Sequence, residues 1–267
     1  MFTPQRARVL ASRLVVLGAA LGLWQTLSAT GVLRADEFPS MTATMRSLGD
    51  QLTTAQLWTA VRDTIASWAI GLLIGGGSAI VVGAMLGLNR FAYRSAIPVI
   101  EFFKTIPAVA ILPLVILKFG PTLQMKYVLV AFGVFWPLTI QVIYGVRSID
   151  PTVRDTATVL QVRGLRRFLV VTLPSAAPYI ATGLRVSAAV ALILSVIGEL
   201  IGGASGVGLN ILNSENSGAT AYPIMYAYIF VAGILGILLA GVFALGERWV
   251  LHWHESQRNV QGPGHAA

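Results

Sequence analysis

Residues 147–185 read RSIDPTVRDTATVLQVRGLRRFLVVTLPSAAPYIATGLR, a polar and basic stretch between two long apolar runs. Lipid gives such an insert no burial to gain, so its helix signals point to another purpose. Asp150-Pro151 is a helix start. Asp supplies the N-cap carboxylate, and Pro at the first helical position loses nothing by lacking an N–H. Val153, Ala157, Leu160 and Gly164 then recur at i, i+4, i+7 and i+11, a narrow stripe of apolar or small residues. Gly164 is suited to end that helix. Arg166, Arg167 and the apolar run 168–171 lead to a second break at Leu173-Pro174, and Pro178 opens the next long run. The spacing predicts a short helix laid across a membrane face with one stripe left free, a docking surface.

The composition demands a membrane around this insert. Of 267 residues, 55% are hydrophobic and 11% charged, against about 25% charged in soluble domains. Mean hydropathy is +0.74. The apolar runs approach or exceed the roughly 20 residues that cross a bilayer, at about 12–30, 64–88, 96–118, 125–146, 178–202 and 222–250. Each must be a helix, because an open sheet edge finds no hydrogen-bond partners in lipid. The expected fold is therefore an all-α membrane protein with about six transmembrane helices. It forms one domain over residues 1–267, with an N-terminal helix at 12–30, a core over about 58–253 and the polar loop at 147–177. Small-residue pairs at Gly71/Gly75 and Gly83/Gly87 are read as sites of close helix approach.

Charge sets the orientation. Twelve Lys and Arg residues fall on the side of the two termini and the 147–175 loop, against five opposite, Arg34, Arg46, Arg62, Lys118 and Lys126. The positive-inside rule then puts both termini and the loop in the cytoplasm of a multi-pass inner (plasma) membrane protein. Most acids, Asp36, Glu37, Asp50 and Asp63, lie in the outer loop 33–63. The net charge of +8 follows from the same asymmetry, and no basic patch with interleaved aromatics indicates nucleic acid. The first span has basic residues before an apolar core but no clean cleavage site, so it is expected to be retained.

The loop resembles the cytoplasmic loop of ABC-importer permeases, the inner-membrane components of binding-protein-dependent transport systems. That family's motif runs E-A-A, three residues, G, nine residues, I-x-L-P. Asp155, Thr156 and Ala157 occupy its first three places, and Val171, Leu173 and Pro174 match its end. Gln161 stands where the family has Gly, and Gly164 follows three residues later. The flanking segments are similar to the sulfonate, taurine and nitrate branch. Residues 101–120, EFFKTIPAVAILPLVILKFG, match it through Pro107, Ala110, Pro113, Leu114, Phe119 and Gly120. Gly198-Glu199-Leu200 followed by Ser205-Gly206-Val207-Gly208 resembles the branch's A-E-x…S-G-x-G run.

The resemblance implies a type I ABC-importer permease core with a cytoplasmic coupling helix. Val153, Asp155, Thr156, Ala157, Leu160, Gln161 and Gly164 would form the surface that docks on an ATPase. It also implies cytoplasmic ATPase subunits carrying ATP and Mg, a second permease copy, and a periplasmic or lipid-anchored substrate-binding protein. The solute would be a small anion such as a sulfonate, taurine or nitrate. This chain is expected to bind no cofactor and to have no catalytic residues, since it carries no G-x-x-x-x-G-K-[ST] and Gly75-Gly76-Gly77 lie inside an apolar run. An ion-gradient-driven secondary transporter or channel is the alternative, and it would favour inverted repeats and paired midplane charges.

Glu199 is the sharpest polar residue, near the outer end of an otherwise apolar run. It either lines the pathway or accepts hydrogen bonds from loop backbone such as 205–208. Glu101, paired with Lys104 at i, i+3, and the helix-breaking Pro107 and Pro113 are the other pathway candidates. His252 and His254 flank Trp253 as an interfacial anchor, with no metal expected, and the absence of Cys removes thiol chemistry.

Overall fold

A computed structural model describes residues 4–34 and 37–250, and among these the chain forms no strand. The α-helices are α1 Pro4–Ala29, α2 Met41–Leu52, α3 Ala55–Leu88, α4 Arg90–Thr105, α5 Leu112–Phe119 and α6 Leu123–Arg147. They continue with α7 Pro151–Val159, α8 Gly164–Arg167, α9 Leu173–Leu200, α10 Val207–Asn216 and α11 Tyr222–Val250. Four runs are long and apolar enough to cross a membrane: α3, α6, Phe168–Leu200 and Ala219–Trp249. A fifth is broken, α4 meeting Ala108–Phe119 at 81°. The sixth expected span lies in α1, whose 26 residues give it the length but whose Arg8, Arg13 and Gln25 leave it less apolar than the other five. His252 and His254 lie outside the described residues.

The core is the bundle of α3, α6 and α9. A ridge of small residues, Gly71, Gly75, Ala79, Gly83 and Gly87, runs down α3 at every fourth position and lies buried against α6. A methyl group added at Gly71 would come within 2.5 Å of Val130, and one at Gly83 within 2.7 Å of Val142. The missing side chains let the two backbones approach, and van der Waals contact holds them there. On another face of α6, Leu129 and Leu138 belong to one apolar cluster with Ala188, Ala191 and Leu194 of α9. The Trp68 indole of α3 donates to the Ala188 carbonyl at 2.9 Å, tying α3 to α9.

Three boundaries differ from the sequence reading. The span expected from residue 64 begins at Ala55, capped by Thr54, whose hydroxyl accepts from the Leu57 N–H at 3.3 Å. Its first turns carry Arg62 and Asp63, charges that read as loop. The supposed loop 33–63 also contains α2, capped by Ser40 and joined to α11 by the Tyr228 hydroxyl on Gln51 Oε1 at 3.1 Å. The break expected at Leu173-Pro174 is instead a wide turn, Phe168–Thr172, in which the Leu173 N–H donates to the carbonyl five residues back, at Phe168. That extra residue per turn accommodates the proline without ending the helix, so the span begins at Phe168 rather than Pro178.

Candidate functional site

Two constellations stand at opposite ends of the bundle. At one end, α7 is fastened at both termini by local chemistry. Asp150 Oδ1 accepts from the Thr152 N–H at 2.7 Å, and Pro151 opens the helix as its sequence requires. At its close the Val162 N–H donates to the Ala157 carbonyl at 2.9 Å and the Gln161 N–H to the Thr158 carbonyl at 3.0 Å. These are the two bonds of a Schellman cap, whose turning residue takes a left-handed conformation. That residue is Gln161, at φ 53°, and among the described residues it alone has positive φ without being glycine. The family's glycine at this place therefore has a conformational reason. Gly164 is also left-handed, at φ 58°, but a side chain there would touch nothing within 4 Å, so it provides no close approach.

Replacing Gln161 by Gly removes a strain of about 1 kcal/mol. Slower amide exchange across α7 is expected, and unchanged or faster exchange would show that the cap is not strained.

The stripe read from sequence divides. Ala157 is 4% exposed and turns toward the chain's own body. Val153, Val159 and Leu160 are 44%, 80% and 69% exposed, so the free apolar surface consists of these three, with Val159 missed from the sequence. Thr156 is exposed, its hydroxyl donating to the Thr152 carbonyl at 2.8 Å, and Gln161 is exposed as well. Asp155 borders a cleft of about 470 Å3 between α7 and the ends of α3 and α6, together with Arg154 and Arg167.

At the other end lies a buried ion pair. Lys126 of α6 and Glu199 of α9 are both wholly buried, with Nζ 2.9 Å from Oε1. The ammonium donates also to the Asp63 carbonyl at 3.0 Å and the Ser205 carbonyl at 2.6 Å, which uses all three of its protons. Glu199 Oε2 accepts from the Gly208 N–H at 3.0 Å, in the first turn of α10, and lies 2.9 Å from the Thr64 hydroxyl. That hydroxyl accepts from the Val207 N–H at 3.0 Å. Glu199 thus serves as a remote cap for α10, where an anion also meets the positive end of the helix dipole.

The Ser205-Gly206-Val207-Gly208 run follows from this geometry. A side chain at Gly206 would collide with the Glu199 carboxyl group, and one at Gly208 with the Val196 carbonyl. Lys126 was counted among the outer surface charges in the sequence reading, but it is an interior group. Its signal was present: a lone Lys near the start of one apolar run and a lone Glu near the end of another.

The remaining candidates sit at the broken span. Glu101 and Lys104 pair with each other on α4, both partly exposed. Pro107 precedes the 3-10 turn Ala108–Ile111 at the break, and Pro113 lies in the first turn of α5. The structure brings these four together along one bent span and keeps them apart from Glu199.

A helical core with a broken span and a short capped helix standing outside the spans defines a polytopic transport permease. Residues 79–252 match the family described as binding-protein-dependent transport system inner membrane component. The chain belongs to this family and is the membrane-spanning permease subunit of an ATP-driven (ABC) importer, a class that works with ATPase and binding-protein partners. The putative aliphatic sulfonates transport permease protein SsuC of Bacillus subtilis (strain 168) is 28% identical over 91% of this chain and 87% of its own length. Its namesake from Escherichia coli (strain K12) is 30% identical over 88% of each. The nitrate import permease protein NrtB of Leptolyngbya laminosa is 30% identical over 64% of this chain and 61% of its own. Among solved structures, a chain of the inward-facing MetNI methionine ABC transporter superposes with a TM-score of 0.65 at 19% identity, covering 75% of this chain and 98% of that one. That likeness concerns the fold. The ion-gradient-driven alternative is not favoured.

Proposed function

We propose that α7 is the coupling helix of this permease, facing the cytoplasm together with both chain termini and docking on an ATPase subunit that carries ATP and Mg. The observation that carries this is the exposed apolar trio Val153, Val159 and Leu160 on a helix capped at both ends, outside the spans. A surface helix with no use for these side chains would turn them inward or replace them by polar ones. Differential contact at α7 is how the ATPase's two states bias the membrane helices between inward and outward access. The pathway forms between this chain and a second copy of it, and an external binding protein delivers the solute. The solute is a small anion, a sulfonate or nitrate, as the names of the relatives suggest. Glu199 acts in this scheme as an anchor rather than a pathway group, because both its oxygens are already engaged by protein donors. Glu101, Pro107 and Pro113 remain with the moving pathway.

Orientation is tested on this Cys-free chain with single cysteines. Ser217, on the α10 side, and Ser148, beside α7, are both exposed, whereas Ser214 is buried and unsuitable. Ser217→Cys should react with an impermeant maleimide in intact cells, and Ser148→Cys only after permeabilisation. External labelling of Ser148→Cys would overturn the orientation and the docking role together.

A further inference from the structure

Trp136 of α6 is enclosed by aromatic rings. Phe103 of α4 stacks on it with centroids 4.7 Å apart and planes 7° from parallel. Phe135 and Phe132 stand steeply inclined to it, at 86° and 75°, with centroids 4.8 and 6.0 Å away. Ile100, Ile140 and Ile143 pack alongside. Within this apolar box the indole Nε1 is buried and has no acceptor in the protein. A buried donor without a partner costs free energy in every folded molecule. Two other buried side-chain groups among the described residues lack partners, Thr44 Oγ1 in α2 and Ser195 Oγ in α9. Only Trp136 stacks on α4 of the broken span, three residues before the bend at Ile106 and Pro107. Its cover, Phe103, meets Phe102 edge-on at 5.4 Å, and Phe102 is 64% exposed. The box therefore lies one aromatic layer from the open surface of the span that the fold leaves bent.

We propose that the Trp136 N–H is a hydrogen-bond donor to the solute in transit, uncovered when Phe103 moves with the broken span, and that it selects an organic anion with an apolar tail. This rests on the reading above that the solute is an anion. An anionic oxygen takes the indole proton. Once Phe103 has moved aside, the remaining aromatic and isoleucine walls would receive an alkyl chain, which an alkanesulfonate supplies and nitrate does not. The neighbouring Lys104 is already balanced by Glu101. The box thus binds by one directed hydrogen bond and apolar contact, weakly enough to release.

The test uses the assembled transporter, with ATPase and binding protein, in proteoliposomes, with labelled butane-1-sulfonate and nitrate as probes. Trp136→Phe keeps the ring and removes the proton donor. KM for butane-1-sulfonate uptake should rise about tenfold, the weight of one hydrogen bond to a charged acceptor. Membrane insertion and co-purification of the ATPase should stay at parental levels, which loss of a purely structural tryptophan would not allow. Phe103→Ala should raise acrylamide quenching of tryptophan fluorescence relative to the parent chain, and this increase should vanish in the double variant with Trp136→Phe. Unchanged KM in Trp136→Phe, with butane-1-sulfonate transported normally, would overturn the inference and leave the anion reading standing. Transport of nitrate but not butane-1-sulfonate by the unaltered chain would also overturn it. Transport of neither would overturn the inference and the anion reading together.

Discussion

Lys126→Met is expected to lower the stability of the detergent-solubilised protein by about 3–5 kcal/mol, the cost of leaving one partner of a buried ion pair uncompensated. Glu199 would be left in a wholly buried site with only the Gly208 N–H and the Thr64 hydroxyl to support it. Glu199→Leu should cost a similar amount, because it strands the ammonium and removes the acceptor for α10. The double variant Lys126→Met/Glu199→Leu should be far less impaired than the sum of the two, since no buried charge remains. Thermal melting of the four proteins decides the matter. Strictly additive losses, or single variants as stable as the parent, would show that the pair does not hold α3, α6 and α9 together at this end of the bundle.

Leu160→Glu is expected to reduce ATP-driven uptake by about 30-fold or more, the weight of one exposed interface anchor. The chain itself should still insert and melt as before, because Leu160 is 69% exposed and no internal contact depends on it. Ala157→Glu would behave differently, although Ala157 lies only three residues from Leu160, the C-cap of α7. Ala157 is buried, so a carboxylate there would disturb the seat of α7 and lower its protection from amide exchange. Uptake and ATPase co-purification at parental levels in Leu160→Glu would remove α7 as the docking element.

What the sequence disclosed and withheld can be traced to the range of the interactions involved. The start of α7 was legible because Asp150 and Pro151 act on backbone groups within two residues. A close helix approach on α3 was legible because the pairs Gly71/Gly75 and Gly83/Gly87 mark small positions four residues apart, whereas its partner, α6, was not. The partnership of Lys126 and Glu199 was not, since 73 residues separate them and only the folded bundle sets their helix ends side by side. The inward turn of Ala157 was hidden for a related reason: a stripe of small residues does not state whether it faces its own chain or another. The strained turn at Gln161 appeared in sequence only as a mismatch to a glycine, and the backbone angle supplied its meaning. Residues 41–52 read as loop because their polar face dominates, although one side of that helix meets α11.

The glycine ridge between α3 and α6 also limits how this protein can move. Each notch receives a residue of α6, so sliding one helix along the other clashes until the next notch is reached, four residues or about 6 Å away. Small axial displacements are therefore closed to this pair, which makes it the stator of the machine. If α7 couples to an ATPase as proposed, the motion must be taken up elsewhere, and the span already bent by 81° has no comparable glycine ridge to hold it in register.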